Sequence, residues 1–113
     1  MFSFSFEHIK YLKNNSLKKT PIIVAVLDTG VDVTHQDLKD KMWINKKEIR
    51  NNNIDDDNNG YIDDVYGINT VERDRSDRAT GNILDTEGHG THVSGTIAAK
   101  QNNGLGIAGI SSH

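Results

Sequence analysis

Asp28 and His89 are the residues best placed by type and setting to do chemistry. Asp28 closes the apolar run Ile22–Leu27, and His89 opens the small-residue run His89-Gly90-Thr91-His92-Val93-Ser94-Gly95. A serine hydrolase needs an imidazole to take the nucleophile's proton. It also needs a carboxylate to hold that imidazole in the right tautomer and stabilise its charged form. Asp28 suits the orienting role and His89 the role of base. Gly88 and Gly90 flank the histidine and keep side-chain bulk away from an approaching substrate backbone. The pair is 61 positions apart, so only a folded α/β layer brings the two together.

The elements that must position them can be read from pattern. Ile22–Leu27 is six apolar residues, four of them β-branched, without polar alternation. That predicts a central strand of a parallel α/β sheet, covered on both faces. Asp28-Thr29-Gly30 then stands at its C-terminal end, where open α/β sheets place their sites. A helix is expected from His89 or Thr91 to about Lys100, with Asn102-Asn103-Gly104 as its stop. Residues 65–69 read as a second short strand, and 7–13 as a short helix. Leu38-Met42-Trp43 marks a half-buried connection. Residues 72–85 are highly charged with little periodicity, which predicts a solvated loop rather than a processing site. Two strands and one helix are too few to bury Ile22–Leu27 fully.

A third cluster is acidic. Asp55-Asp56-Asp57-Asn58-Asn59-Gly60-Tyr61-Ile62-Asp63 follows the start of an EF-hand-like calcium loop. Asp55, Asp57 and Asn59 offer oxygens at alternate positions, Gly60 makes the sharp turn, Tyr61 offers its carbonyl, and Asp63 follows two residues later. Tyr66 stands where the full motif has a bidentate glutamate, so Asp64 or a distant residue must complete the shell. The alternative is a solvated acidic turn, since Asp, Asn and Gly are ordinary loop residues. Crowded carboxylates repel without a cation, which favours Ca2+. His89 and His92, one helical turn apart, also admit a zinc site with Glu87 or Asp85. The spacing is not that of the H-E-x-x-H zinc hydrolases.

Composition removes other classes. The net charge is -3 with no basic block, which argues against nucleic acid as a partner. No apolar run approaches the roughly 18 residues of a membrane span. Met1–Glu7 lacks the basic and apolar regions of a signal peptide. The chain has no Cys, so it carries neither disulfides nor thiolate metal sites.

The motifs together resemble the subtilisin-like serine proteases, peptidase family S8. Asp28-Thr29-Gly30-Val31-Asp32 followed by His35-Gln36-Asp37-Leu38 matches the family's acid motif. His89-Gly90-Thr91-His92-Val93-Ser94-Gly95 matches its histidine motif in full. Acid before histidine is that family's known chain order. Asn58-Asn59-Gly60-Tyr61-Ile62-Asp63-Asp64-Val65-Tyr66-Gly67 is most similar to the enzymes of malaria parasites and their relatives.

The resemblance implies an α/β, three-layer parallel-sheet fold, present here only as an N-terminal fragment. Residues 1–21 would be an N-terminal segment and 22–113 a partial peptidase domain. It implies a serine endopeptidase acting on protein or peptide substrates, with an inhibitory propeptide as a further partner and a secretory setting. His89 is then the base and His92 a packed structural histidine. It also implies a second Ca2+ between Asp37, the Asn103 side chain and the carbonyls of Leu105 and Ile107. The family's nucleophile lies in a Gly-Thr-Ser-Met-Ala stretch at a helix start, and no serine of this chain has that context. The chain as it stands is therefore expected to be inert. A calcium-binding remnant that kept the scaffold is the alternative.

Overall fold

The computed structural model describes residues 21–111. They form a two-stranded antiparallel sheet and one helix: β1 Asn69–Arg73, β2 Ala79–Thr80 and α1 His89–Ala98. The helix expected over 7–13 and almost all of the 1–21 segment lie outside the described residues.

Helix α1 begins at the expected residue and stops two residues short of Lys100. Its sequence is rich in small residues, and Gly90 and Gly95 are buried. The C-terminal carbonyls are satisfied by chain that returns along the helix. Ile110 N–H donates to the Thr96 carbonyl at 3.0 Å, and Ser111 N–H to the Ile97 carbonyl at 2.8 Å. This return replaces the glycine cap that many helices use.

Two expectations are corrected. Ile22–Leu27 forms no strand, and it is exposed, with Leu27 at 92%. The physical reason is the lack of a partner. Among the described residues no segment offers it a hydrogen-bonding ladder, and a parallel strand needs neighbours and cover on both faces. The second strand is β1, beginning where 65–69 was expected to end. It pairs with β2 across what reads as a featureless charged loop. The hairpin is made by turn chemistry. Asp74 accepts the Ser76 and Arg78 amides at 2.8 and 2.9 Å, Arg78 pairs back to its carboxylate at 2.8 Å, and Asp77 takes a left-handed φ of 60°. Such a tip leaves no hydrophobic periodicity to read.

The buried core is small and half polar. Leu38, Val65, Ala79 and Ala99 are its apolar members; Asp37, Asn45, Glu48 and Asp64 are its polar ones. Of the expected half-buried connection, Leu38 is buried, Met42 half-buried and Trp43 exposed. Residues 51–64 are loop, as composition predicts, apart from a single parallel bridge of Ile62 to Thr80.

Candidate active site

Asp28 and His89 meet. His89 Nδ1 lies 2.7 and 2.9 Å from the two Asp28 carboxylate oxygens. A carboxylate only accepts, so Nδ1 carries the proton, and Nε2 is left with the free lone pair. The Asp28 side chain is 18% exposed and the His89 ring 71%. The acid is thus tucked behind a base that faces outward.

The local sequence explains how the two come so close. The Thr29 amide donates to Asp28 Oδ1 at 2.7 Å, fixing the carboxylate rotamer. Gly30 has a φ of 120° and lies against the Ile83 carbonyl, where a Cβ has no room. Gly90 sits directly against the Gly30 carbonyl and beside the Asp28 Cβ. Any side chain there would push α1 off the 28–30 turn. The two glycines therefore permit the approach, and the histidine motif's second residue has a packing reason to be Gly.

The electrostatics follow from these contacts. The imidazole hydrogen bond, then the Thr29 amide, hold Asp28 below its ordinary value of 3.8. The Asp28 hydrogen bond and then its charge raise His89 above 6.5. Asp32, next along the acid motif, is held low by the Thr34 hydroxyl and amide.

Asp85 enters the sequence reading only as an alternative zinc ligand, and here it has a different place. Its carboxylate accepts five hydrogen bonds. They come from the Thr29 hydroxyl at 2.9 Å, the Glu87 and Gly88 amides at 3.0 and 2.8 Å, and the Thr91 amide and hydroxyl at 2.9 and 2.6 Å. The Thr91 hydroxyl, then the Gly88 amide, hold Asp85 far below the usual carboxylate range. The signal that points to it is an acid just before a helix start, where unpaired N–H groups and the helix dipole favour negative charge.

His92 is exposed, which corrects the packed role implied by resemblance, because no described segment covers that side of α1. Ser94 lies five residues beyond His89, about 140° round the helix, and is turned away from the base.

In the acidic loop, Glu48, Asp55 and Asp57 bring carboxylate oxygens within 4.8 Å of one another. Asp55 and Asp57 are expected ligands. Glu48 was not read from the sequence, because it lies outside the loop motif and only the fold carries it in. It is buried, and it accepts the Asp56, Asp57 and Asp63 amides. Asn59 sits beside them, its amide on Asp55 and Asp57 and its side chain on Asp64 and the Tyr61 amide. Asp63 is turned elsewhere, accepting the Asn52 and Asn53 amides. At the second expected site, buried Asp37 receives the Asn103 side-chain amide. Its other carboxylate oxygen crowds Gly106, between Leu105 and Ile107. Among the described residues no three-ligand cluster includes His89 or His92. No helix among them is long and apolar enough to cross a membrane.

Comparison with known proteins is consistent with this geometry. The model of the subtilase family matches residues 19–112. Subtilisin-like protease 1 of Plasmodium berghei (strain Anka) is 43% identical over 100 residues, covering 88% of this chain and 15% of that protein. Subtilisin-like protease 1 of Plasmodium falciparum (isolate 3D7) is 46% identical over 88 residues, covering 77% and 12%. The major intracellular serine protease of Bacillus subtilis (strain 168) is 42% identical over 94 residues, covering 83% and 22%. The chain therefore spans less than a quarter of the length of these relatives.

Proposed function

Because this chain belongs to the subtilase family, we propose that Asp28 and His89 are the acid and base of a serine endopeptidase. The observation that carries this is the 2.7 Å contact between His89 Nδ1 and Asp28, made across 61 residues of chain. Family membership implies an α/β subtilisin fold and protein substrates. The three-layer parallel sheet would assemble around Ile22–Leu27, whose apolar side chains are available for cover on both faces.

The steps follow from the tautomer. Nε2 takes the proton of a serine hydroxyl as its oxygen attacks the peptide carbonyl. Asp28 stabilises the imidazolium that forms. The same Nε2–H then protonates the leaving amine, and the cycle repeats with water to free the enzyme. The reaction also needs a serine nucleophile, and no serine of these 113 residues stands in a Gly-Thr-Ser-Met-Ala context. Taken alone, the chain supplies the acid and the base.

We further propose structural Ca2+ at two places. Asp55, Asp57 and Asn59, with the Tyr61 carbonyl and Glu48, would hold one ion. Asp37, the Asn103 side chain and the carbonyls of Leu105 and Ile107 would hold the other. Oxygens within 4.8 Å of one another suit ligand distances of about 2.3–2.6 Å around one ion. Asp63 contributes by fixing the neighbouring turn. Ca2+ would neutralise the crowded carboxylates and slow local opening.

The test is hydrolysis of an unstructured protein substrate by the full-length gene product and its His89→Ala variant. Loss of cleavage in the variant is expected. Undiminished cleavage would remove His89 from the mechanism.

A further inference from the structure

The acid and base do not hold each other in place unaided. Both are exposed as residues, and the apolar run before Asp28 pairs with no strand among the described residues. A short polar relay spans the gap instead. The Thr29 hydroxyl donates to Asp85 at 2.9 Å and accepts the Gly90 amide at 3.0 Å. The Thr91 hydroxyl donates to Asp85 at 2.6 Å and accepts the Asp32 amide at 3.0 Å. Each hydroxyl thus binds the 28–32 turn to α1, and one carboxylate orients both. Asp85 also takes the Glu87, Gly88 and Thr91 amides at the start of α1, the helix that begins with His89.

We propose that Asp85 is a positioning residue for the Asp28–His89 pair, acting through the Thr29 and Thr91 hydroxyls while hydrogen-bonding neither member itself. The inference rests on the reading of Asp28 and His89 as acid and base. Its physical content is direction. A hydroxyl has one proton, and the carboxylate takes it. The hydroxyl oxygen is then left to accept the N–H that reaches over from the other element. Removing the acceptor oxygens at 85 frees both hydroxyls to rotate, and both cross-links fail together. Three carboxylates bear on the His89 charge: Asp28 in contact, with Asp85 and Glu87 further off. Any test must therefore separate position from charge.

The experiment is an NMR titration of His89 in this chain, with the Nδ1–H resonance followed in parallel. It compares wild type with Asp28→Asn, Asp85→Ala, Asp85→Asn, Thr29→Val and the Asp85→Ala/Thr29→Val double variant. Thr29→Val leaves every charge intact. The expected result is a raised wild-type His89 pKa that Asp28→Asn returns toward 6.5. Asp85→Ala and Thr29→Val should each reproduce at least half of that shift and broaden the Nδ1–H signal. The double variant should go no further than the larger single, because the two residues act as one unit. Asp85→Asn keeps an oxygen for the Thr29 arm and should recover part of the effect.

A wild-type shift that responds to Asp28→Asn but not to Thr29→Val would overturn the positioning role and leave the acid–base pair standing. Additive effects of Asp85→Ala and Thr29→Val would also overturn it, since they would make Asp85 a distant charge only. A wild-type His89 that titrates at its ordinary value, or ignores Asp28→Asn, would overturn the pair and this inference with it.

Discussion

The Asp28–His89 junction and the Glu48–Asp64 loop are both built on carboxylates, but their acids meet different things. At the junction an acid meets an imidazole at 2.7 Å, and the neighbouring Asp85 is surrounded by five donors. In the loop, acids meet acids, with Glu48, Asp55 and Asp57 inside 4.8 Å. Among the described residues none of the loop's carboxylates has a Lys or Arg ion pair. Their partners are backbone amides and Asn side chains, which orient a carboxylate without cancelling its charge. At the junction one acid is paired with a titratable imidazole, so that pair should answer to pH. The loop is organised but not neutralised, and it should answer to a divalent cation.

The largest effect that would sharpen this contrast is on turnover. In the full-length gene product, Asp28→Asn should lower kcat by about 10⁴-fold, because the imidazole loses its orienting acceptor. Glu48→Gln should leave kcat at saturating Ca2+ near wild type. A comparable loss from Glu48→Gln would mean the two regions are not separable.

Next is metal response. Thermal unfolding with free Ca2+ at 100 times a site's Kd should show about 2.7 kcal/mol of added stability from that site. Glu48→Gln with Asp57→Asn should remove most of the part due to the acidic loop, and His89→Ala none of it. A gain that survives the double substitution would move that ion elsewhere.

A smaller effect is expected at the close approach of the two motifs. Gly90→Ala places a methyl against the Gly30 carbonyl and beside Asp28, and overpacking of this kind costs about 1–3 kcal/mol. Chemical denaturation should show that loss, with the His89 pKa falling at the same time. Stability lost without a change at His89 would show that the helix can shift while the pair stays intact.

The smallest effect is the pH profile of stability. His89 is raised above 6.5, so its contribution is full below 6.5 and fades as pH rises through the higher folded value. Asp28 is held below 3.8, so its contribution is full above 3.8 and fades as pH falls through the lower folded value. Between those limits the junction is at its strongest. Asp28→Asn should flatten both edges, whereas loop substitutions should leave the His89 edge unchanged.

What was legible in the chain follows from how local each feature is. The histidine motif and its helix are contiguous, so α1 could be read directly. The 22–27 run was readable as strand-forming sequence. Strand formation, however, depends on neighbours, and none of the described segments supplies them. The β1–β2 hairpin was hidden because it rests on Asp74 and Asp77 turn geometry rather than on alternation. Glu48 was hidden because its company with Asp55 and Asp57 is made by chain folding back on itself.

The sequence by itself determined the Asp28 and His89 motifs, the helix that opens with His89 and the family. Each is written in a run of residues whose order constrains its own backbone and side chains. Only the tertiary structure decided that Asp28 reaches Nδ1, and that Asp85 caps α1 while binding both threonines. It also decided that Asp63 turns away from the carboxylates it follows in sequence. A hydrogen bond needs heavy atoms within about 3 Å and well aligned. Across dozens of residues of chain, that distance is set by packing and by the room two glycines leave.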